Sequence, residues 1–272
     1  MSHAARGLGG TAALGTYLLG VVMQSPQPAN AAALQAAPAI ELQQVWLGWR
    51  DHIAVRDVSG QFARGSFTAV VGPNGAGKST LVKTLAGQLS PLRGHIQTAP
   101  DLAANLGCLP QAAELDTSVP VSTFDLVALG AWHRSGGWRG LSSSDLNAVE
   151  AALHTVGLAG FGHQPVETLS GGQRQRALFA RLMMRDAQVI LLDEPFAAVD
   201  HSTTEDLLAL LQLWHAEGRT IIAVLHDLDM VRSHFPDTLL LGGQVVGWGA
   251  TDQVLNAANL HLARHLCAGS LP

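Results

Sequence analysis

Residues 67–80 constrain the fold more than any other stretch of the chain. Phe67-Thr68-Ala69-Val70-Val71 is a β-branched, apolar run that reads as a buried strand. It stops at glycine, and Gly72-Pro73-Asn74-Gly75-Ala76-Gly77-Lys78-Ser79-Thr80 follows. A helix is predicted over 78–88. Strand, glycine-rich turn and helix in this order match the pattern G-x-x-x-x-G-K-[ST]. The glycines let successive backbone N–H groups turn inward onto an anion, and the helix N-terminus adds partial positive charge. A glycine turn that merely joins a strand to a helix requires neither Lys78 nor Ser79. The stretch therefore reads as a phosphate loop, with Lys78 for β- and γ-phosphate charge and the Ser79 hydroxyl for Mg²⁺.

The second half of such a site is Val189-Ile190-Leu191-Leu192-Asp193-Glu194. An apolar strand delivers two acids at its C-terminal end, where parallel sheets bind ligands. Asp193 suits Mg²⁺, and Glu194 is the candidate general base for an attacking water. Two adjacent acids could otherwise be a solvated turn, a reading the upstream phosphate loop disfavours.

Alternation of strand and helix signals continues downstream. Strands are predicted over 105–109, 187–192 and 220–225, with a helix over 203–216 stopped by Gly218. This βαβ alternation implies a parallel sheet. Short strands are also predicted over 45–49 and 54–58, and a hairpin is predicted around Gly242-Gly243. Residues 112–186 read as helical and irregular, with helices over 121–133, from a Ser143-Ser144-Asp145 cap to about 156, and from about 172 to 185.

Composition excludes some classes. The formal net charge is −5, which does not point to nucleic acid. Cys108 and Cys267 form no spaced motif and suit a reducing compartment. Charged residues are only 14% of the chain, and Lys78 and Lys83 are the only lysines. An Ala/Leu/Gly bias and a surface partly covered by a partner account for this equally well.

Leu169-Ser170-Gly171-Gly172-Gln173-Arg174-Gln175-Arg176 lies between the phosphate loop and the acid strand. Ser170 and the two glycines open a predicted helix, a second anion-binding position. An ordinary serine cap explains Ser170 but not the whole run. The stretch resembles the signature of ABC ATPases. The resemblance covers roughly residues 41–262 and implies an α/β P-loop NTPase fold: a RecA-like core, an antiparallel β subdomain and an inserted helical subdomain at about 112–186, with 263–272 as a tail. It implies ATP and Mg²⁺ as cofactors, and a head-to-tail dimer in which Ser170, Gly171, Gly172 and Gln173 reach the γ-phosphate held by the second copy. It also implies that Gln111 is the Q-loop glutamine near Mg²⁺ and water. Asp200 is then the D-loop aspartate, and His226 the switch histidine that meets the γ-phosphate. Trp49 falls where the family places an adenine-stacking aromatic, with Trp46 as competitor.

Finer features, including Leu115-Asp116, Val119-Pro120-Val121, residues 125–130 and Phe196 after Pro195, resemble the zinc/manganese importer branch. Ala198 departs from that branch, which often has glycine there. Siderophore and haem importers are the competing branch. A non-transport ABC ATPase acting on DNA or ribosomes is the reading from another class, disfavoured by the lack of sustained heptads and of a tandem domain. The resemblance further implies a separate multispanning permease, an indirect substrate-binding protein and a peripheral place on the cytoplasmic face of a membrane.

Residues 1–40 lie outside the resemblance. Residues 11–23 are mostly apolar but too short to span a bilayer, and 25–38 are rich in Pro, Ala and Asn. A signal-peptide core has this texture, yet the downstream machinery needs cytosolic ATP. The expectation is a disordered extension or a mis-assigned start, with Met23 a possible later one. Finally, His261 and His265 lie four apart on a predicted helix with Cys267 nearby. That spacing could hold a metal, but so few donors favour a polar face of a terminal helix.

Overall fold

The computed structural model describes residues 37–49, 52–109, 111, 120–132, 140–197 and 199–268. Its elements, in chain order, are β1 (Ile40–Trp49), β2 (His52–Phe62), β3 (Phe67–Val71), α1 (Lys78–Leu85), β4 (Arg93–Thr98), β5 (Leu106–Leu109) and α2 (Thr123–Ala128), which runs into a 3₁₀ turn (Leu129–Ala131). Then come α3 (Ser143–Thr155), α4 (Gly171–Arg185), β6 (Val189–Asp193), α5 (His201–Ala216), β7 (Thr220–Val224), α6 (Leu228–His234), β8 (Asp237–Leu241), β9 (Val245–Ala250), α7 (Thr251–Val254) and α8 (Ala257–Ala268).

Six strands form one sheet in the order β5-β6-β7-β3-β8-β9. The pairings from β5 through β8 are parallel, and β9 closes the edge antiparallel to β8. The predicted hairpin is this β8–β9 pair. A separate antiparallel sheet runs β2-β1-β4. The α/β class and the two-sheet arrangement expected from the sequence are the observed ones.

The central strands β3, β6 and β7 are buried along their whole length, so hydrophobicity alone could not tell their two faces apart. Parity does. Phe67, Ala69, Val71, Ile190, Leu192, Ile221 and Ala223 join one core, with α2–α5. Val70, Val189, Leu191, Ile222 and Val224 join another, with α1 and the antiparallel sheet. Each central strand thus binds the helical layer on one face and the β subdomain on the other.

Several boundaries differ from expectation. The strands β1 and β2 are 10 and 11 residues long, since antiparallel backbone pairing, with several register irregularities, continues through exposed polar positions. β4 carried no prediction, since Arg93-Gly94-His95-Ile96-Gln97-Thr98 buries almost nothing and lacks an alternating apolar face. The helix α3 is capped by Ser142, with Asp145 completing a capping box, instead of by 143–145 as predicted. Helix α2 stops at Ala128 and tightens into the 3₁₀ turn. Ala39 and Ile40, assigned to the extension, are buried and tied to Phe62 and Ala99 by backbone hydrogen bonds and pairing. Likewise α8 passes through the expected end at 262, and Ala263 is 1% exposed. The stretches 1–36 and 112–119, as well as Ala198, lie outside the described residues. Among described residues, no helix is long and apolar enough to cross a membrane.

Candidate active site

Sheet order brings the candidate residues together. Gln111 follows β5, Asp193 and Glu194 end β6, His226 follows β7, and the phosphate loop follows β3. These four strands are consecutive neighbours, so their C-terminal ends form one edge.

At that edge Ser79 Oγ donates to Asp193 Oδ1 at 3.0 Å. Gln111 Nε2 donates to Glu194 Oε2 at 3.0 Å, and His226 Nε2 lies 2.6 Å from Glu194 Oε1. Glu194 therefore stands between an amide and an imidazole. Its backbone is in the left-handed region, φ 52°, a conformation disfavoured for a non-glycine residue. Such strain persists only where the surroundings fix it, and it turns the carboxylate off the strand axis into the site.

The phosphate loop closes on its own lysine. Lys78 is buried and its Nζ donates to the carbonyls of Gly72 and Pro73 at 2.9 and 3.0 Å. Burial pulls the ammonium below its ordinary value, while the Glu194 and Asp193 carboxylates push it back up. Gly77 caps α1 with φ 87° and offers no side chain of its own. A Cβ there would run into the Val55 side chain, so β2 presses on the loop where only glycine fits. The first turn of α1 thus has no side-chain cap, whereas its N–H groups need acceptors. Ala76 is buried and its N–H bonds to Pro73 O at 3.2 Å, which rounds the loop. Asn74 and Gly75 are exposed, and the Thr80 carbonyl accepts from Thr84 inside α1.

The donor set fits a magnesium ion. Ser79 hydroxyl, Asp193 carboxylate and the amide oxygen of Gln111 are hard oxygen ligands, the type Mg²⁺ takes. The two tryptophans differ in exposure. Trp46 is half-buried, with the Arg93 guanidinium 5.0 Å from its ring centre. Trp49 is 61% exposed and pairs with His52 at the end of the β1–β2 hairpin.

The signature run opens α4. Ser170 Oγ accepts from Gln173 N–H at 3.2 Å, and Gln173 Oε1 accepts from Ser170 N–H at 2.9 Å. Within one chain Ser170 caps its own helix and stays exposed beside exposed Gly171. Gly172 backs onto Asp200, whose Oδ2 would sit 3.4 Å from an added Cβ. Asp200 caps α5: Thr203 N–H, Ser202 Oγ and Thr203 Oγ1 all donate to it. These bonds, that from Thr203 N–H foremost, hold its carboxyl far below the usual range.

Sequence reasoning gave Gln175 no role. It is 1% exposed, and its Nε2 donates to Pro195 O at 2.7 Å. That bond ties α4 to the turn that carries Glu194. Arg176, one residue on, donates to Val156 O, Thr203 and Asp206 and so joins α3, α4 and α5. A buried glutamine in a polar helix start was the available signal, but it is visible only once burial is known.

A P-loop at the switch between β3 and its neighbours, with an acid pair on the next strand but one, defines the P-loop nucleoside triphosphatase class. Residues 55–197 match the family described as ABC transporter. Sequence relatives include the manganese transport system ATP-binding protein MntB of Bacillus subtilis, 33% identical over 225 residues that cover 81% of this chain and 90% of that protein. Another is the manganese transport system ATP-binding protein MntA of Synechocystis sp., 36% identical over 204 residues, 73% of this chain and 78% of that protein. Among solved structures, a metal-chelate type ABC transporter in an inward-facing conformation superposes with a TM-score of 0.74. It is 28% identical over 84% of this chain and 90% of that chain. The chain belongs to the ABC transporter family.

Proposed function

We propose that this chain is the ATP-binding and ATP-hydrolysing subunit of an importer for a metal ion, zinc or manganese, working through a separate permease. The observation that carries the hydrolytic part is Glu194, fixed in a strained conformation between Gln111 and His226 at the same sheet edge as Lys78. The metal cargo rests on the sequence features around 115–130 and Phe196, and on the manganese transport relatives.

In this reading the phosphate loop, residues 72–80, and the first turn of α1 hold the triphosphate, and Trp49 stacks on the adenine. Lys78 exchanges the carbonyls of Gly72 and Pro73 for β- and γ-phosphate oxygens. Ser79, Asp193 and Gln111 would hold Mg²⁺, which would neutralise charge on those oxygens. Glu194 accepts the proton of the attacking water, and His226 orients Glu194 and donates towards the γ-phosphate. The exposed start of α4, with Ser170, Gly171, Gly172 and Gln173, meets the nucleotide of a second copy, and Asp200 sets that start against α5. The permease docks at a cleft of about 240 Å³ lined by Cys108, Leu109, Leu129, Leu178 and Arg181. It opens beside β5, the strand that delivers Gln111. A substrate-binding protein acts only on the permease, and the subunit sits peripherally on the cytoplasmic side.

Phosphate release from ATP by the purified chain, with and without Lys78→Ala, tests the hydrolytic assignment. Loss of turnover with an unchanged circular dichroism spectrum is expected; near wild-type turnover contradicts it. A second reading, import of a metal chelate, is favoured by the solved metal-chelate type neighbour. A selective iron deficit in cells lacking the gene would support that reading.

A further inference from the structure

The helix α8 carries two histidines whose rings converge. His261 Nε2 and His265 Nε2 are 3.0 Å apart, and both side chains are exposed. The ring centres are 4.2 Å apart, with the planes inclined at 60°. We propose that His261 and His265 form a two-imidazole surface site for a borderline transition-metal cation such as Zn²⁺, Ni²⁺ or Cu²⁺. The site goes beyond the transport reading and does not depend on it.

Three observations carry it. The first is distance. Two imidazole nitrogens each about 2.1 Å from one ion stand about 3.0 Å apart at the right angle of Cu²⁺ or Ni²⁺ and about 3.4 Å apart at the tetrahedral angle of Zn²⁺. The pair is already at chelating separation. The second is rigidity. Ala263, between the two histidines, is 1% exposed, and a Cβ on Gly242 would sit 2.7 Å from its carbonyl oxygen. Asn256 Oδ1 caps the start of the helix through Asn259 N–H at 2.9 Å. At the other end Cys267 Sγ donates to Asn74 O at 3.4 Å. The backbone that carries the two histidines is thus pinned at both ends and in the middle, which fixes their spacing along the helix. The third is chemistry. The helix Ala257–Ala268 contains no carboxylate, and Arg264 is its only permanently charged side chain. Imidazole without hard oxygen donors selects the borderline cations, and affinity should rise from Mn²⁺ to Cu²⁺.

Binding needs both Nε2 lone pairs, so a neutral ring that carries its proton on Nε2 passes it through water to its own Nδ1. With both rings neutral no proton is released; a protonated ring releases one. Water completes the coordination. The bound ion cross-links the turn that leads to Cys267 and Asn74.

Calorimetric titration of the full chain, free of a polyhistidine tag and of nucleotide, tests the proposal with ZnCl₂, NiCl₂ and MnCl₂. One Zn²⁺ or Ni²⁺ per chain is expected, with Mn²⁺ at least tenfold weaker. His261→Gln and His265→Gln should each weaken Zn²⁺ binding at least tenfold with an unchanged circular dichroism spectrum. The double variant Cys108→Ser, Cys267→Ser should retain it. Undiminished binding in the histidine variants overturns the proposal. So does loss of binding in the cysteine variant, Mn²⁺ binding as tight as Zn²⁺, or no binding at all.

Discussion

In the proposed mechanism Glu194 is the residue on which hydrolysis turns. One oxygen accepts from Gln111 and the other lies 2.6 Å from His226, so the carboxylate is positioned before any substrate arrives. Preorganisation of this kind removes the cost of orienting the base during reaction. Glu194→Gln keeps shape and size but loses the proton acceptor. Hydrolysis should fall by about 10²–10⁴-fold, while ATP binding persists and the dimer stays closed. Size-exclusion chromatography with ATP, beside a phosphate-release assay, reads both effects; normal turnover would remove Glu194 from the role of base. Lys78, Ser79, Asp193 and Glu194 were legible as candidates because each ends or follows a strand in a recognisable pattern, whereas Gln111 and His226 came from the family resemblance alone. The left-handed backbone of Glu194 was not legible, since nothing in Leu192-Asp193-Glu194-Pro195 signals positive φ outside glycine. Nor was the contact of His226 with Glu194, which the family resemblance had directed at phosphate instead.

Among the elements, the start of α5 links the signature helix to the acid strand. Asp200 caps α5, and Gly172 packs against its carboxylate, so α4 and α5 begin at one junction. The folded carboxyl sits far below its unfolded value, which means that its contribution is present above the ordinary carboxylate range. It is lost as the pH falls through the low folded value. Asp200→Ala should therefore lower Tm at neutral pH. The gap from wild type should shrink as the solution is acidified below the ordinary carboxylate range. Thermal melts across pH check this; a gap that widens on acidification contradicts it. The parallel core was the most readable part of the fold, because runs such as Thr220-Ile221-Ile222-Ala223-Val224 have one interpretation between helices. The strand β4 was opaque because its partner β1 stabilises it through backbone pairing and a Trp46–Arg93 contact, not through apolar residues of its own. The end of the domain, expected at 262, fell short for a related reason: Ala263 and Cys267 are small side chains whose contacts are with Gly242 and the phosphate loop, far away in sequence.

Among the described residues, the helix starts after Gly77 and at Ser170 are the two proposed to meet phosphate. The first is uncapped by side chains; the second is self-capped and exposed. In a twofold dimer each chain's Ser170 would meet the nucleotide on the other chain's Lys78. Mixed dimers distinguish this from action within one chain. With Lys78→Ala and Ser170→Arg in one subunit and a wild-type partner, both composite sites are damaged. With the lesions split between subunits, both fall in one site and the other is intact. Tight ATP occupancy should therefore survive in the split mixture and be lost from the first. The reverse pattern would place Ser170 in cis.

We infer that ATP hydrolysis by this chain drives metal uptake. It is tested most directly by elemental analysis of metal-limited cells lacking the gene, supplied with either the wild-type or the Glu194→Gln chain. A deficit of zinc or manganese is expected that the wild-type chain restores and the variant does not. Recovery of the metal with Glu194→Gln, or a deficit confined to iron, would contradict it.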